Sequence, residues 1–228
     1  MSAVRVKICG IRSLEEAFWA IEAGASALGF VFADSPRQVT PEEAAAICRR
    51  LPPFITRVGV FVNEAPDHIR RVARFCGLDA VQLHGDEPPE HCRLGPGLKV
   101  IKALRVDRQD PASLLAEVCR YEVAAILLDS KIEGRYGGSG VTFDWRTAAA
   151  LRRSWPGPLI LAGGLNRENV LAAIRLVRPY AVDASSGVER SGQKDRGLLK
   201  EFISLIHYSN YEYATGKRND LLTGERTG

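Results

Sequence analysis

The sequence predicts an α/β protein, a single (β/α)8 TIM barrel, and three observations carry that prediction. Short β-branched, apolar runs alternate with longer amphipathic segments rich in Ala, Leu, Glu and Arg. The apolar runs are nearly continuous, which marks strands buried on both faces and so a parallel sheet under helices. Eight such strand–helix units fit between Val4 and His207 of a 228-residue chain, a length that one closed barrel fills. An open doubly wound sheet would call for a glycine-rich first turn, and Gly10-Ile11-Arg12-Ser13 is not GxGxxG.

The elements follow in order. Strand Val4–Cys9 leads to helix Leu14–Ala23, which Gly24 ends as a left-handed cap. Strand Ala27–Phe32 precedes helix Pro41–Leu51, whose start Thr40-Pro41-Glu42-Glu43 offers a capping hydroxyl, a proline at the first helical position and first-turn acids. Strand Arg57–Val62 is followed by helix Pro66–Cys76 and its cap Gly77. Strand Ala80–His84 and helix Pro88–Leu94 form the fourth unit, then strand Lys99–Leu104 and helix Pro111–Arg120 behind Asp110. Strand Ala125–Asp129 with helix Phe143–Ser154 comes sixth, and strand Leu159–Gly163 with helix Arg167–Val177, capped by Asn166, comes seventh. Strand Ala181–Ala184 and helix Arg196–His207 complete the set. The barrel domain is thus expected over residues 1–207, and residues 208–228 read as a polar, mobile C-terminal extension without assigned chemistry.

Composition narrows the class. Hydrophobic residues make up 46% of the chain, enough for a sizeable core. No apolar run reaches the about 18 residues of a membrane span, and the N-terminus lacks a signal-peptide pattern. The five cysteines are odd in number, widely spaced and without CxxC, which argues against a disulfide framework or a zinc site and for a reducing cytoplasmic setting. The net charge of +4 is dispersed among acids, with no basic run interleaved with aromatics. Nucleic acid is therefore not an expected partner, whereas a small polyanion suits a mildly positive field.

Function in this fold collects at the C-terminal ends of the strands. There the sequence places Cys9, Phe32 to Arg37, Asn63, Gln82, His84, Lys102, Asp129, Gly163-Gly164 and Asp183 to Gly187. Gly163 and Gly164 close strand seven, and Ser185, Ser186 and Gly187 follow strand eight, the habitual phosphate position of the fold. Cys9 and Asp129 end strands one and six, on different sides of the mouth, and two titratable groups flanking a substrate are what an isomerase needs. A thiol base requires a pKa brought towards neutrality, by loop amides or by Lys7 if that side chain points inward. Arg37 can hold a carboxylate through both edges of its fork. His84 shares a strand face with Gln82 and suits an orienting role; its spacing to His91 and Cys92 matches no common metal pattern, so neither metal nor cofactor is expected.

The pieces Val6-Lys7-Ile8-Cys9-Gly10-Ile11, Gly29-Phe30-Val31-Phe32 with Ser35-Pro36-Arg37, and Gly59-Val60-Phe61-Val62-Asn63 resemble, in that order, the phosphoribosylanthranilate isomerases. So do Val81-Gln82-Leu83-His84-Gly85-Asp86-Glu87, Leu127-Leu128-Asp129-Ser130 with Gly137-Gly138-Ser139-Gly140, Leu161-Ala162-Gly163-Gly164-Leu165, and Val182-Asp183-Ala184-Ser185-Ser186-Gly187-Val188-Glu189. The resemblance implies an Amadori rearrangement in tryptophan biosynthesis, from N-(5′-phosphoribosyl)anthranilate to 1-(2-carboxyphenylamino)-1-deoxyribulose 5-phosphate, without cofactor or metal. It implies Asp129 as general acid, Cys9 as general base, Arg37 on the anthranilate carboxylate, and Gly163, Gly164, Ser185, Ser186 and Gly187 on the phosphate. Gln82, His84 and Asp183 join them as expected substrate-binding residues, in a monomer or homodimer. The chain departs from the family's usual pattern at Arg12 and Ser139, where threonine is common, and at Ala184, where valine is. Two rivals stand beside this reading: a histidine-pathway aminoaldose isomerase, against which Cys9 argues, and a non-catalytic phosphate-ligand-binding barrel.

Overall fold

Eight parallel strands close on themselves in the order of the chain in the computed structural model, which describes residues 3–106, 110–130 and 144–216. The strands are β1 (Arg5–Cys9), β2 (Ala27–Val31), β3 (Thr56–Phe61), β4 (Ala80–Leu83), β5 (Lys99–Val106), β6 (Ala125–Ser130), β7 (Leu159–Leu161) and β8 (Ala181–Ala184). Closure is made by β1 on β8, where Lys7 stands opposite Asp183. Among the described residues, seven α-helices cover the ring: α1 (Leu14–Ala23), α2 (Pro41–Cys48), α3 (Pro66–Cys76), α4 (Pro111–Val118), α5 (Trp145–Ser154), α6 (Val170–Val177) and α7 (Arg196–Thr215). A short hairpin, β9 (Glu189–Arg190) and β10 (Gln193–Lys194), precedes α7.

Strand side chains alternate between the lumen and the helix layer. The lumen is filled by small and branched residues, among them Val58, Ala80, Ile101, Ala103, Leu127, Ile160 and Ala181. The opposite strand faces join the helices in a larger core around Ile8, Leu28, Phe30, Val81, Ile126 and Phe202. Because the lumen is packed at its lower levels, only the uppermost inward positions open to solvent.

Local chemistry explains the helix ends. Ser13 caps α1 through Glu16 N–H, and Gly24 at φ 109° ends it. Thr40 and Glu43 form a reciprocal capping box at α2. Three expectations need correction. The segment Pro88–Leu94 forms only a 3-10 turn, Pro89–Cys92, since Pro89 withholds a donor and Gly95 and Gly97, both at positive φ, follow at once. Helix α6 starts at Val170 rather than Arg167, because the Asn169 side chain reaches back to Gly164 O at 2.9 Å and the Asn166 carboxamide accepts from Glu168 N–H in a separate turn. Helix α7 continues past His207 to Thr215. Its added turns are held to the barrel floor by Asn210, which accepts from Val4 N–H at 2.7 Å and donates to Val4 O at 3.0 Å. The remainder of the expected mobile tail, from 217 on, and the segment Gly137–Gly140 lie outside the described residues.

Lys102 also departs from expectation. It faces away from the mouth, donating to Glu87 at 2.7 Å and to Gly85 O at 2.7 Å with both charged groups about 1% exposed. Glu87 in turn accepts from the N–H groups of Asn63 and Gly85. This network sets the loop after β4, and Asn63, at φ 52°, belongs to it rather than to the mouth. Removing one partner of such a buried pair leaves an uncompensated charge. Glu87→Ala is expected to lower unfolding stability by about 3–5 kcal/mol in denaturant titration, and the double substitution Glu87→Leu with Lys102→Met to recover most of that loss.

Candidate active site

The C-terminal ends of the strands surround an open cleft of about 750 Å³. Cys9, Arg37, Gln82, His84, Asp129, Gly163, Gly164, Asp183, Ser185, Ser186 and Gly187 all line it, with Val31, Val60 and Val62 supplying apolar wall. Each polar member is brought there by the same rule: it sits at the last inward position of its strand, or in the loop just beyond.

Cys9 lies above Lys7 on β1. Lys7 points inward and is 3% exposed, with Nζ 2.9 Å from Asp183 Oδ2. Burial pulls the Lys7 ammonium down, but the charges of Asp183 and Cys9 outweigh it and leave the pKa raised, so Lys7 is a cation. Burial pushes the Cys9 thiol up, and Lys7 only partly pulls it back. The thiol is therefore not brought down towards neutrality: the desolvation of Cys9 exceeds the pull of its cation. Burial also raises Asp183, against Lys7, and its Oδ1 is buried without a hydrogen-bond partner among the described residues.

Asp129, 4% exposed, ends β6 across the lumen. Its Oδ1 accepts from Ser130 N–H at 2.8 Å, and its Oδ2 is 3.1 Å from His84 Nε2, close enough for an ion pair though not aligned as a hydrogen bond. Gln82 Nε2 is 2.8 Å from His84 Nδ1, so Gln82, His84 and Asp129 form one chain of contacts.

The two glycine loops touch. A Cβ on Gly187 would stand 1.9 Å from Leu165 O, and one on Gly163, at φ 83°, would meet Ser130 N at 2.5 Å and Asp129 Oδ1 at 2.8 Å. Glycine is thus imposed by close approach at both loops. Ser185 is committed elsewhere, its hydroxyl donating to Cys9 O at 3.1 Å.

Arg37 does not lie free in the mouth. Its Nε and Nη2 donate to Glu189 Oε1 and Oε2, each at 2.7 Å, and Lys194 Nζ donates to the same Oε1 at 2.6 Å. Burial raises the Glu189 pKa, but Arg37 and Lys194 outweigh it and hold the carboxyl below its ordinary range. Glu189 and Lys194 were not singled out from sequence; the alternation of acid and base around a two-residue hairpin gave no signal that they would fold over the mouth. Arg12 points away from Cys9, towards the rim, donating to Pro36 O at 3.1 Å and Gly192 O at 2.6 Å. Among the described residues, no helix is long and apolar enough to cross a membrane.

Titratable groups gathered at the open end of a filled barrel are the arrangement of a barrel enzyme. Comparison with known proteins gives the family. The family model described as N-(5′-phosphoribosyl)anthranilate (PRA) isomerase matches residues 6–205. The N-(5′-phosphoribosyl)anthranilate isomerase of Geobacter sulfurreducens is 56% identical over 88% of this chain and 97% of its own, and that of Moorella thermoacetica 48% over 97% of both. The crystal structure of phosphoribosyl anthranilate isomerase from Thermotoga maritima is 47% identical with a TM-score of 0.81, covering 90% of this chain and 98% of its own. A phosphoribosyl anthranilate isomerase solved with reduced 1-(o-carboxyphenylamino)-1-deoxyribulose 5-phosphate is 46% identical with a TM-score of 0.78 over the same shares. The chain belongs to the N-(5′-phosphoribosyl)anthranilate isomerase family, and its activity is that of an isomerase of tryptophan biosynthesis.

Since Arg12 faces the rim, its replacement by the family's usual threonine should leave the Cys9 thiol titration unmoved. Alkylation rate of Cys9 against pH measures this; a displaced midpoint in Arg12→Thr would show that its charge reaches the thiol after all.

Proposed function

We propose that this protein converts N-(5′-phosphoribosyl)anthranilate to 1-(2-carboxyphenylamino)-1-deoxyribulose 5-phosphate, with Asp129 as general acid and Cys9 as general base. The observation that carries the assignment is their placement: both are buried, on β1 and β6, three strands apart in the closed ring, and both line the cleft at its mouth. Asp129 gives a proton to the ribose ring oxygen as the C1′–O bond breaks, and the nitrogen lone pair forms a protonated Schiff base. Cys9 as thiolate takes the C2′ proton, and the electrons of that bond make the C1′–C2′ double bond of a neutral enolamine. Tautomerisation moves the hydroxyl proton from O2′ to C1′ and leaves the ketone. The cationic imine favours a thiolate beside it, so the step that needs the base also helps to form it. Lys7 is the standing counter-ion for that thiolate, and the unpartnered Asp183 Oδ1 suits a ribose hydroxyl.

Asp129 acts as the acid, and the Gln82–His84 pair orients it. If the Gln82 amide is turned so that Oε1 accepts from Nδ1–H, its otherwise partnerless oxygen is satisfied and His84 Nε2, 3.1 Å from Asp129 Oδ2, faces the carboxyl. The phosphate is held by backbone N–H groups of Gly163, Gly164, Ser186 and Gly187, where the loops after β7 and β8 meet; Ser186 adds a hydroxyl, and Ser185 contributes mainly by tying that loop to Cys9. Arg37 takes the anthranilate carboxylate. Anchoring both anionic ends fixes the ribose between acid and base.

Cys9→Ala and Asp129→Asn are each expected to lower kcat by about 10²–10⁴-fold with KM within a few-fold of wild type, followed by the decay of substrate fluorescence. A wild-type protein that binds the substrate and never turns it over would bring the non-catalytic reading forward. The pH dependence has a definite sign. A thiol with a raised pKa keeps its proton to higher pH, so the base form grows as pH rises. The rate constant kcat/KM should climb through neutrality and level off only above the ordinary thiol range, and Lys7→Met should move that midpoint higher still.

The protein acts in the cytoplasm, as a homodimer. The Thermotoga maritima relative, 45% identical in a further structure, is described there as dimeric. Here Phe54, in the connection before β3, is 95% exposed at the N-terminal end of the barrel, the end that also carries a cleft of about 1020 Å³ beside Val4, Tyr180 and Tyr213. Light scattering is expected to give the dimer mass for wild type and a smaller mass for Phe54→Ser; a monomeric wild type would refute the assembly.

A further inference from the structure

One charge cluster in the mouth carries none of the transferred protons, although Lys194 adds a small pull on the Cys9 thiol beside that of Lys7. Arg37 spends one edge of its guanidinium on Glu189, through Nε and Nη2 at 2.7 Å each. Its stem is also fixed: a Cβ at Gly10, where φ is 82°, would stand 2.5 Å from Arg37 Cδ, so the stem lies directly on that glycine. Glu189 and Lys194 are facing residues of the β9–β10 hairpin, and Lys194 Nζ donates to Glu189 at 2.6 Å. The hairpin is itself pinned. Glu16 accepts from Lys194 N–H at 3.2 Å, and Arg12 joins Gly192 O at its tip to Pro36 O beside Arg37.

We propose that Glu189, supported by Lys194, is a positioning residue that sets the preference for a carboxylated aryl amine: it grips one edge of Arg37 and thereby presents the other edge to the substrate's carboxylate. The inference rests on the reading of Arg37 given above. A guanidinium carries five donors on two usable edges, and a carboxylate takes one edge at a time. With the Nε edge filled, the Nη1–Nη2 edge stays available, and Nη1 has no protein partner among the described residues. The charges agree with this geometry. Arg37 and Lys194 are each one positive and Glu189 one negative, so the cluster keeps a single positive charge, matched to one incoming carboxylate. Without Lys194, Glu189 would neutralise Arg37 and repel the substrate. Without Glu189, the guanidinium would turn on its stem and lose its fixed direction.

The test uses the full-length protein and two substrates, phosphoribosylanthranilate and the analogue in which the aryl carboxylate is a carboxamide. Arg37→Ala, Glu189→Ala, Glu189→Gln and Lys194→Met are compared with wild type, with melting temperature measured alongside. The expected result is a KM for the carboxylate substrate about tenfold higher in Glu189→Ala, with kcat within about threefold, and a roughly tenfold loss of preference for carboxylate over carboxamide. Glu189→Gln, which keeps the shape and one acceptor oxygen, should fall between. Adding Glu189→Ala to Arg37→Ala should cost no further preference, since the two act through one contact. Where Glu189→Ala is too unstable to assay, the isosteric Glu189→Gln decides. If both Glu189 variants keep the wild-type preference while Arg37→Ala loses it, Arg37 binds the carboxylate unaided and the proposal fails. If Arg37→Ala keeps it too, the reading of Arg37 falls and the proposal with it.

Discussion

The ion pair between Lys7 and Asp183 is the constraint on which the mouth depends. It lies on the seam where β1 meets β8 and so where the barrel closes. Both groups are buried, 3% and 8% exposed, which makes each costly without the other. Their mutual satisfaction fixes an ammonium beside Cys9 and leaves Asp183 Oδ1 without a hydrogen-bond partner among the described residues. Barrel closure and the electrostatics of the thiol are therefore one arrangement. A barrel sealed at this level by two aliphatic side chains would hold together as well, but it would take from a thiolate at Cys9 the cation that pulls on it most.

The polar residues of the mouth fall into two kinds. Lys7, Asp129, Asp183 and Gln82 stand on strands, with His84 one residue beyond β4, where alternation and the packed lumen below permit little movement. Arg37, Glu189 and the glycine loops stand on connections. Those connections are stiffened by contacts that reach across the ring: Ser185 to Cys9 O, Arg12 to Pro36 and Gly192, Asn169 to Gly164 O. Strand placement supplies the acid–base geometry, and cross-loop bonds give the anchoring groups a comparable fixity.

Much of this was legible in the sequence, for physical reasons. The period of apolar runs shows which segments are strands, and the fold rule then assigns Cys9, Gln82, His84, Asp129 and Asp183 to one end. Helix starts were readable where a side chain caps locally, as at Ser13 and Thr40. They were misread at Asn166, where a later residue, Asn169, takes the tertiary bond to Gly164. The end of α7 was hidden because the polar run from Tyr208 on suggests a tail, whereas Asn210 is polar to meet the backbone of Val4 at the barrel floor. Lys102 looked like a mouth residue because it stands near a strand end, yet strand parity turns it outward to Glu87. The hairpin carrying Glu189 and Lys194 was invisible because its partners are far away in the chain, at Glu16, Arg12 and Arg37.

The raised thiol of Cys9 bears on how such a mouth avoids side reactions. A cysteine held as thiolate at rest would be open to oxidation and alkylation throughout the life of the enzyme. Here burial keeps Cys9 protonated, while Lys7 limits the cost of ionising it. Cys48, buried among apolar residues, is likewise pushed up, to about 12, against the pull of Arg57. On the roles proposed for Asp129 and Cys9, the imine formed as the ring opens would add a positive charge near the thiol only while substrate is bound. Base strength at Cys9 would then be tied to the presence of the intermediate whose proton it removes, which would let a buried, otherwise quiet thiol serve as the base in a single step of the cycle.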